Sequence, residues 1–316
     1  MKRPLLVALL AATASLVLAP IKAPADAGGL AWDSVTKMVM GADASSLQPG
    51  SFDADYAAAA AAQPPSQSGG GIFSQFKQAM AQGQNMQQMM QTGIAQRHYV
   101  AGSKERTDDV AQQTATIVDC AARTITTLDL RNKTYRVVSM DQASAPSTGG
   151  GRGPLSGLSD NNTRVAIALT NTALGARDVS GLPANGFRSD MTITETTGSG
   201  ETRTQNADML AYYSSYDNPS ANCSHWTATG GRGAGMMAGY AQLMRALSST
   251  GADSRFSVSQ SGPPLPRGKL ALYDATTFSF GAQGQGMTMV TERGNVRAIG
   301  ADDPVFSVPA GFTQQQ

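Results

Sequence analysis

The sequence has few of the residues from which most enzyme and metal sites are built. It contains 2 histidines and 2 cysteines in 316 residues, and only 15% of its residues are charged. Structural zinc needs about four Cys or His ligands in paired spacings, which these scattered residues do not provide. No G-x-S-x-G, H-E-x-x-H, C-x-x-C or P-loop motif occurs. The sequence therefore predicts a protein that is not an enzyme and has no cofactor or bound metal.

An excess of charge of one sign is also missing. The chain has 24 basic and 23 acidic residues, and without residues 1–27 the counts become 21 and 22. Proteins that bind nucleic acids or anionic membrane surfaces usually show a clear basic excess. The charge balance therefore argues against both partners.

Only one long apolar run is present, at the N-terminus. Lys2 and Arg3 precede an apolar stretch from Pro4 to Ala19, and Ala25 and Ala27 occupy the small-residue positions of an A-x-A cleavage site. The run is too short for a membrane span, and no other segment is typical of one. We therefore expect a signal peptide over residues 1–27, cleavage near Ala27, and a periplasmic or secreted protein.

The two cysteines, Cys120 and Cys223, would be exposed to oxidation in an exported protein. A single disulfide between them is the simplest prediction. The alternative is a metal pair formed by Cys223 and His225, which would still lack two ligands.

The composition changes near Gly93, which indicates two parts in the mature chain. Residues 30–47 and 72–92 have helical spacing of apolar residues and flank a linker rich in Ala, Pro and Gly at 57–71. After Gly93 the apolar residues alternate, as in half-buried strands. We therefore predict a helical N-terminal arm over residues 28–92, followed by an antiparallel sheet domain over residues 93–316.

Within the second part, short connections between apolar runs predict a meander. Ile94–Val100 is the first expected strand, and 114–120, 123–130 and 134–140 follow, with a hairpin end at 198–201. The sheet is expected to resume at 163–198, with further strands at 269–280, 286–294, 295–299 and 305–312 and a helix at 231–250. The predicted fold class is α+β, a curved antiparallel sheet with covering helices.

Three stretches resemble an uncharacterised exported bacterial family of the DUF4412 type, which is similar to the lipoprotein carriers LolA and LolB. The matching residues lie in the early strands, in a central strand and near the C-terminus: Gly102, Lys104, Arg106, Asp119, Leu130, Lys133, Tyr135, Gly186, Phe187, Phe306, Pro309, Gly311 and Phe312. The resemblance implies an incomplete β-barrel whose apolar concave face is covered by helices. In the carriers this cavity shelters acyl chains.

Fifteen methionines are the most distinctive positive feature. Methionine is flexible and polarizable, and suits irregular apolar surfaces. The expected ligand cavity is lined from two helices: Phe76, Met80, Met90, Met236, Tyr240 and Met244. The leading hypothesis is a carrier for an apolar ligand, possible ligands being a lipid or the acyl chains of a lipoprotein. An envelope protein that docks through residues 28–92, and a copper-handling protein with thioether ligands, are the alternatives.

Overall fold

The computed structural model describes residues 28–62, 87–143, 164–219, 256–280 and 285–315. These residues are mostly in strands, which form one large open sheet of 13 strands in the order β10-β7-β8-β9-β11-β12-β1-β2-β3-β4-β5-β6-β13. The strands are β1 (Gly29–Met40), β2 (Ile94–Ala101), β3 (Lys104–Asp109), β4 (Thr114–Asp119), β5 (Thr124–Asp129), β6 (Thr134–Ser139), β7 (Arg164–Val179), β8 (Leu182–Thr196), β9 (Thr202–Asp217), β10 (Phe256–Ser261), β11 (Lys269–Phe280), β12 (Gln285–Ile299) and β13 (Thr313–Gln314).

The first strand, β1, lies in the middle of the sheet and corrects the predicted helical arm. Its Val35 pairs with Glu292 of β12 on one side and with Ala95 of β2 on the other. The arm is therefore wrong for residues 29–40, which belong to the sheet. Most of β1 is buried, as expected of a strand covered on both faces. Such a strand does not alternate, so its apolar residues could imitate helical spacing.

A turn that repeats every ten residues joins the short strands β3 to β6. In each turn an aspartate accepts a hydrogen bond from the backbone N–H three residues later, at 2.8–2.9 Å. The fourth turn residue is left-handed, with φ of 51–55°. The aspartates are Asp109, Asp119 and Asp129, and the left-handed residues are Gln113, Arg123 and Lys133.

Most of the predicted strands after Gly93 are confirmed, including the three at 114–140 and the hairpin end at 198–201. Two details are wrong. The pairs β10–β7 and β13–β6 are parallel, so the sheet is mixed and not wholly antiparallel. Residues 305–312 are not a strand, because a 3-10 helix at Pro304–Phe306 and a turn occupy most of that segment.

The described helices are few and short. They are α1 (Phe52–Ala60), α2 (87–91), α3 (Met140–Ala143) and 3-10 helices at Ala44–Ser46 and Pro304–Phe306. The first four residues of the expected linker, 57–60, are thus helical. None of the described helices has the length and apolar character needed to cross a membrane. The expected signal peptide and the expected helix at 231–250 lie outside the described residues.

The two faces of the sheet differ in what covers them. We call the face that bears Tyr99 and Val35 the tyrosine face, and the face that bears Met38 and Met289 the methionine face. Helix α1 packs on the tyrosine face through Phe52, which contacts Val35 and Ala95 in a small core. The C-terminal segment packs on the same face, where Phe306 joins Tyr99 and its neighbours.

Candidate functional site

The methionine face presents a buried surface across six strands, in which apolar side chains are interrupted by the polar Thr276, Ser189 and Asn171. Strand register places Met38 of β1 beside Met289 of β12, with Thr276 of β11 and Met209 of β9 following in the same row. All four of these side chains are at most 8% exposed. Methionines from β1, β9 and β12 therefore lie on one surface.

Strands β7 and β8 extend this surface. On β7 the side chains alternate strictly between exposed and buried from 164 to 171, with Val165, Ile167 and Leu169 facing inward. Leu169 pairs with Met191 of β8, which pairs in turn with Ala207 of β9. The main described contacts of β7, β8 and β9 are with their neighbours in the sheet and with the 3-10 helix Ala44–Ser46. That helix lies on the tyrosine face, since the backbone N–H of Ala44 donates to Thr277 at 2.6 Å.

A polar group borders the methionines on the same face, where β2, β1 and β12 meet. His98 stacks on Trp32, with ring centroids 5.1 Å apart and planes inclined by 16°. The hydroxyl of Ser34 lies 2.9 Å from His98 Nε2, and that of Thr107 lies 3.4 Å from Nδ1. Burial, and then the positive charge of Arg293, lower the pKa of His98 to about 4. The imidazole is therefore neutral at pH 7.

The charge of Arg293 is balanced next to this group. Its guanidinium forms an ion pair with Asp274 and donates a hydrogen bond to the carbonyl of Ala271 at 3.0 Å. Burial, followed by the negative charge of Asp274, raises the pKa of Tyr213 to about 12. The group thus contains one internally neutralised ion pair and two uncharged titratable side chains.

The Ser34–His98 pair has the distance of a nucleophile and its general base, but other requirements are not met. A catalytic serine needs an accessible hydroxyl and a base oriented by a third group, usually a carboxylate. Ser34 is only 2% exposed, and the side chain next to His98 Nδ1 is that of Thr107, not a carboxylate. A structural role for the pair fits these contacts better than acyl transfer.

Of the six cavity residues predicted from the sequence, Met90 alone lies in the described residues. It lies within helix α2 (87–91) and is 49% exposed. Phe76, Met80, Met236, Tyr240 and Met244 lie outside the described residues.

The structure describes only one of the two cysteines of the predicted disulfide. Cys120 follows β4, is half-buried, and is not a free thiol. Cys223 and His225 lie outside the described residues, so the pairing of Cys120 with Cys223 stays a prediction. Among the described residues, no three His, Cys, Asp or Glu side chains converge as metal ligands would.

Sequence reasoning placed the apolar surface on helices and missed the part that the sheet supplies. Met38, Met191 and Met209 lie on the methionine face although none was a candidate. The signal was present in parts of β7 and β8, where every second residue is a large apolar one over 165–169 and 191–193. In β1 the apolar residues do not alternate, so the signal was absent there.

Comparison with models of known protein families found no match to this chain, and comparison with curated proteins found none either. The resemblance to the DUF4412-type family and to LolA and LolB therefore stays a prediction.

Proposed function

We propose that this protein is a non-enzymatic carrier or binding protein for an apolar chain, which lies against the methionine face. The observation that carries the proposal is the row Met38–Met289–Thr276–Met209, together with Met191 of β8 and Leu169 of β7, which lie on the same face in the adjacent row that contains Ala207. Unbranched thioether side chains adapt to ligands of varied shape, and methionine is common on surfaces that accept several partners.

The resemblance to LolA and LolB supports the same function by analogy of fold. It implies that the sheet curves into an incomplete barrel and that helices cover its apolar face. Phe76, Met80, Met90, Met236, Tyr240 and Met244 would then form the wall opposite the sheet. In this proposal a lipid or a lipoprotein acyl chain would lie between that wall and the methionine face.

The first test is native mass spectrometry of the full-length protein purified from its own host, followed by lipid extraction. We expect a bound lipid, or saturable binding of a fluorescent fatty acid by the delipidated protein. Met209→Gln should weaken the binding by about 10-fold, because it replaces an apolar side chain by a polar amide on the surface that contacts the ligand. Met209→Leu should bind like the wild type.

Thr192→Gln is the matched control on the opposite face, since Thr192 is exposed and lies on a neighbouring strand. Equal weakening by both glutamine variants would point to a general loss of structure. Absence of both bound lipid and fatty-acid binding would contradict the proposal.

Export is part of this proposal, because lipoprotein carriers work outside the cytoplasm. N-terminal sequencing of the protein from the periplasm or the medium should begin near Gly28. A mature protein that retains Met1 would show that the predicted signal peptide is wrong.

Copper handling is a second candidate, favoured by two pairs of methionines directly opposite one another. Met38 pairs with Met289, and Met40 pairs with Met287, on adjacent antiparallel strands. Opposite side chains have Cβ atoms about 4.5–5.5 Å apart, and thioethers suit Cu(I). Equilibrium dialysis should then show Cu(I) uptake that Met40→Leu reduces. No uptake by the wild type would remove this candidate.

Docking through a helical arm, the remaining alternative, has lost part of its basis. Residues 29–40 form the central strand of the sheet and are mostly buried. They are therefore not available as a docking helix.

A further inference from the structure

The tyrosine face contains a polar recess that the proposed carrier function does not use. The recess has a volume of about 300 Å³ and is lined by Asp33, Arg97, Tyr99, Asn295 and Arg297. It lies between helix α1 and the C-terminal segment, both of which pack on this face. Four of the five lining residues are charged or amide side chains.

A β-bulge brings the lining residues of β12 together. The register between β1 and β12 shifts between Ala31, which pairs with Arg297, and Asp33, which pairs with Gly294. Within the bulge Asn295 has a φ of 54°, a left-handed conformation that asparagine tolerates better than most residues. Bulges re-aim side chains and are common beside functional sites. Here the bulge lets Asn295 donate a hydrogen bond to Asp33 at 2.9 Å.

The wall on the α1 side is set by close packing. A Cβ atom on Gly294 would lie 2.5 Å from the ring of Phe52, so only glycine allows α1 to approach β12 this closely. The approach places the hydroxyl of Tyr56 where Arg97 Nε donates to it at 3.1 Å. The guanidinium of Arg97 is thereby held at the rim of the recess.

Three arginines surround Tyr99, and they differ in how far their hydrogen-bonding groups are used. Arg106 donates two hydrogen bonds to Asp108, at 2.6 and 3.1 Å, and one to the carbonyl of Val305 at 2.7 Å. Its charge is therefore paired with Asp108, and three of its five N–H donors are used inside the protein.

Arg297, in contrast, has unused hydrogen-bond donors on its guanidinium. Its guanidinium carbon lies 5.5 Å from the centre of the Tyr99 ring, and its side chain is exposed. Within the described part of the chain it forms no hydrogen bond and no ion pair. Arg97 is half exposed, and its contact with Asp33 is long, at 3.8 Å. Two guanidinium groups with unused donors thus face a recess that contains one carboxylate, which leaves a net charge of +1.

We propose that this recess binds an oxyanion, a phosphate or carboxylate group of a small solute, between the guanidinium groups of Arg97 and Arg297. Planar guanidinium groups match both anions through paired N–H donors. The cation–π contact with Tyr99 restricts the Arg297 guanidinium before the anion arrives, which lowers the entropy lost on binding. The amide of Asn295 donates to Asp33 Oδ2, and the other carboxylate oxygen lies 3.8 Å from Arg97 Nε, too far to use up the donors of that guanidinium.

The test is isothermal titration calorimetry of the full-length protein with inorganic phosphate, with citrate and with sodium chloride at matched ionic strength. We expect saturable binding of phosphate or citrate in the millimolar range or tighter, and none of chloride. Phosphate binding without citrate binding would identify a phosphate site, and the reverse a carboxylate site. Absence of binding of both anions would overturn the proposal.

Three variants separate the recess from general surface charge. Arg297→Gln should weaken binding by about 10-fold or more, and it should fold normally because the side chain has no hydrogen bond to lose. Arg297→Lys should be intermediate, since it keeps the charge and loses the planar donor pair. Arg136→Gln removes an exposed arginine from the other face and should bind like the wild type. Equal weakening by Arg136→Gln and Arg297→Gln would refute a specific site.

Discussion

The imidazole of His98 lies flat against the indole of Trp32, 5.1 Å between ring centres, and its Nε2 is 2.9 Å from the Ser34 hydroxyl. This arrangement buries a titratable group beside the guanidinium of Arg293, which opposes a second positive charge. The neutral imidazole is the form that the folded protein accommodates.

A pH dependence of stability follows from the lowered pKa of His98. Above pH 6.5, the ordinary pKa, the imidazole is neutral in both the folded and the unfolded protein. There it contributes no pH dependence to the free energy of unfolding. Below pH 6.5 the unfolded chain takes up a proton that the folded protein resists until about pH 4. The free energy of unfolding should therefore fall over this window by up to about 3 kcal/mol.

Urea titrations between pH 4 and 7 would measure this effect. The variant His98→Gln should lack the part of the pH dependence of unfolding that His98 contributes. NMR titration of the imidazole gives a direct check. A His98 that titrates near 6.5 in the folded protein would contradict the prediction.

Glu292 should destabilise the protein at neutral pH. It is 5% exposed, and within the described residues its Oε2 atom has no hydrogen-bond partner. Burial raises its pKa above the ordinary 4.5, so the folded state resists ionisation of the carboxyl group as the pH rises. Glu292→Gln keeps an acceptor for the Gly50 N–H, which donates to Oε1 at 2.9 Å.

We expect Glu292→Gln to raise the melting temperature at pH 7 by a few degrees, as a gain of about 1 kcal/mol would do. The gain should shrink in acid, where the wild-type carboxyl group is also neutral. A variant that is less stable than the wild type at pH 7 would contradict the prediction.

The buried status of the methionine face can be tested on two paired residues. Ile167 of β7 is 1% exposed and lies beside Val258 of β10, which is 43% exposed. Ile167→Ala should lower the free energy of unfolding by about 2–5 kcal/mol, and Val258→Ala by less than about 1 kcal/mol. Chemical denaturation measures both, and similar losses would show that this part of the face is not a core.

The repeated turns allow a comparison of two adjacent glutamines. Gln113 is left-handed, with a φ of 55°, and Gln112 precedes it in the same turn with a negative φ. Glycine removes the penalty of about 1–2 kcal/mol for a side chain in this conformation. It also makes the unfolded chain more flexible, which lowers the free energy of unfolding by about 0.5–1 kcal/mol. Gln113→Gly should therefore stabilise by up to about 1 kcal/mol, whereas Gln112→Gly should destabilise. Denaturation midpoints with an unchanged slope would check the difference, and a reversed order would contradict it.

Local patterns were sufficient for the meander, because each of its turns is specified within a few residues. Asp129 accepts from the N–H of Asn132, and Lys133 adopts the left-handed conformation that closes the loop. The same reasoning failed for β1. Its partners Glu292 and Ala95 lie far away along the chain, and burial on both faces removed the alternation that would have identified a strand.

The sequence by itself determined the mostly β second half, its short hairpins and the abundance of methionine, since these depend on spacing, turn residues and composition. Only the tertiary structure decided that β1 joins β12 to β2, and that Met38, Met209 and Met289 share one face. It also decided that a bulge at Asn295 brings Arg97 and Arg297 to one recess. The reason is physical: strand pairing between distant segments is set by register and by burial of both partners, and neither quantity can be read from either segment alone.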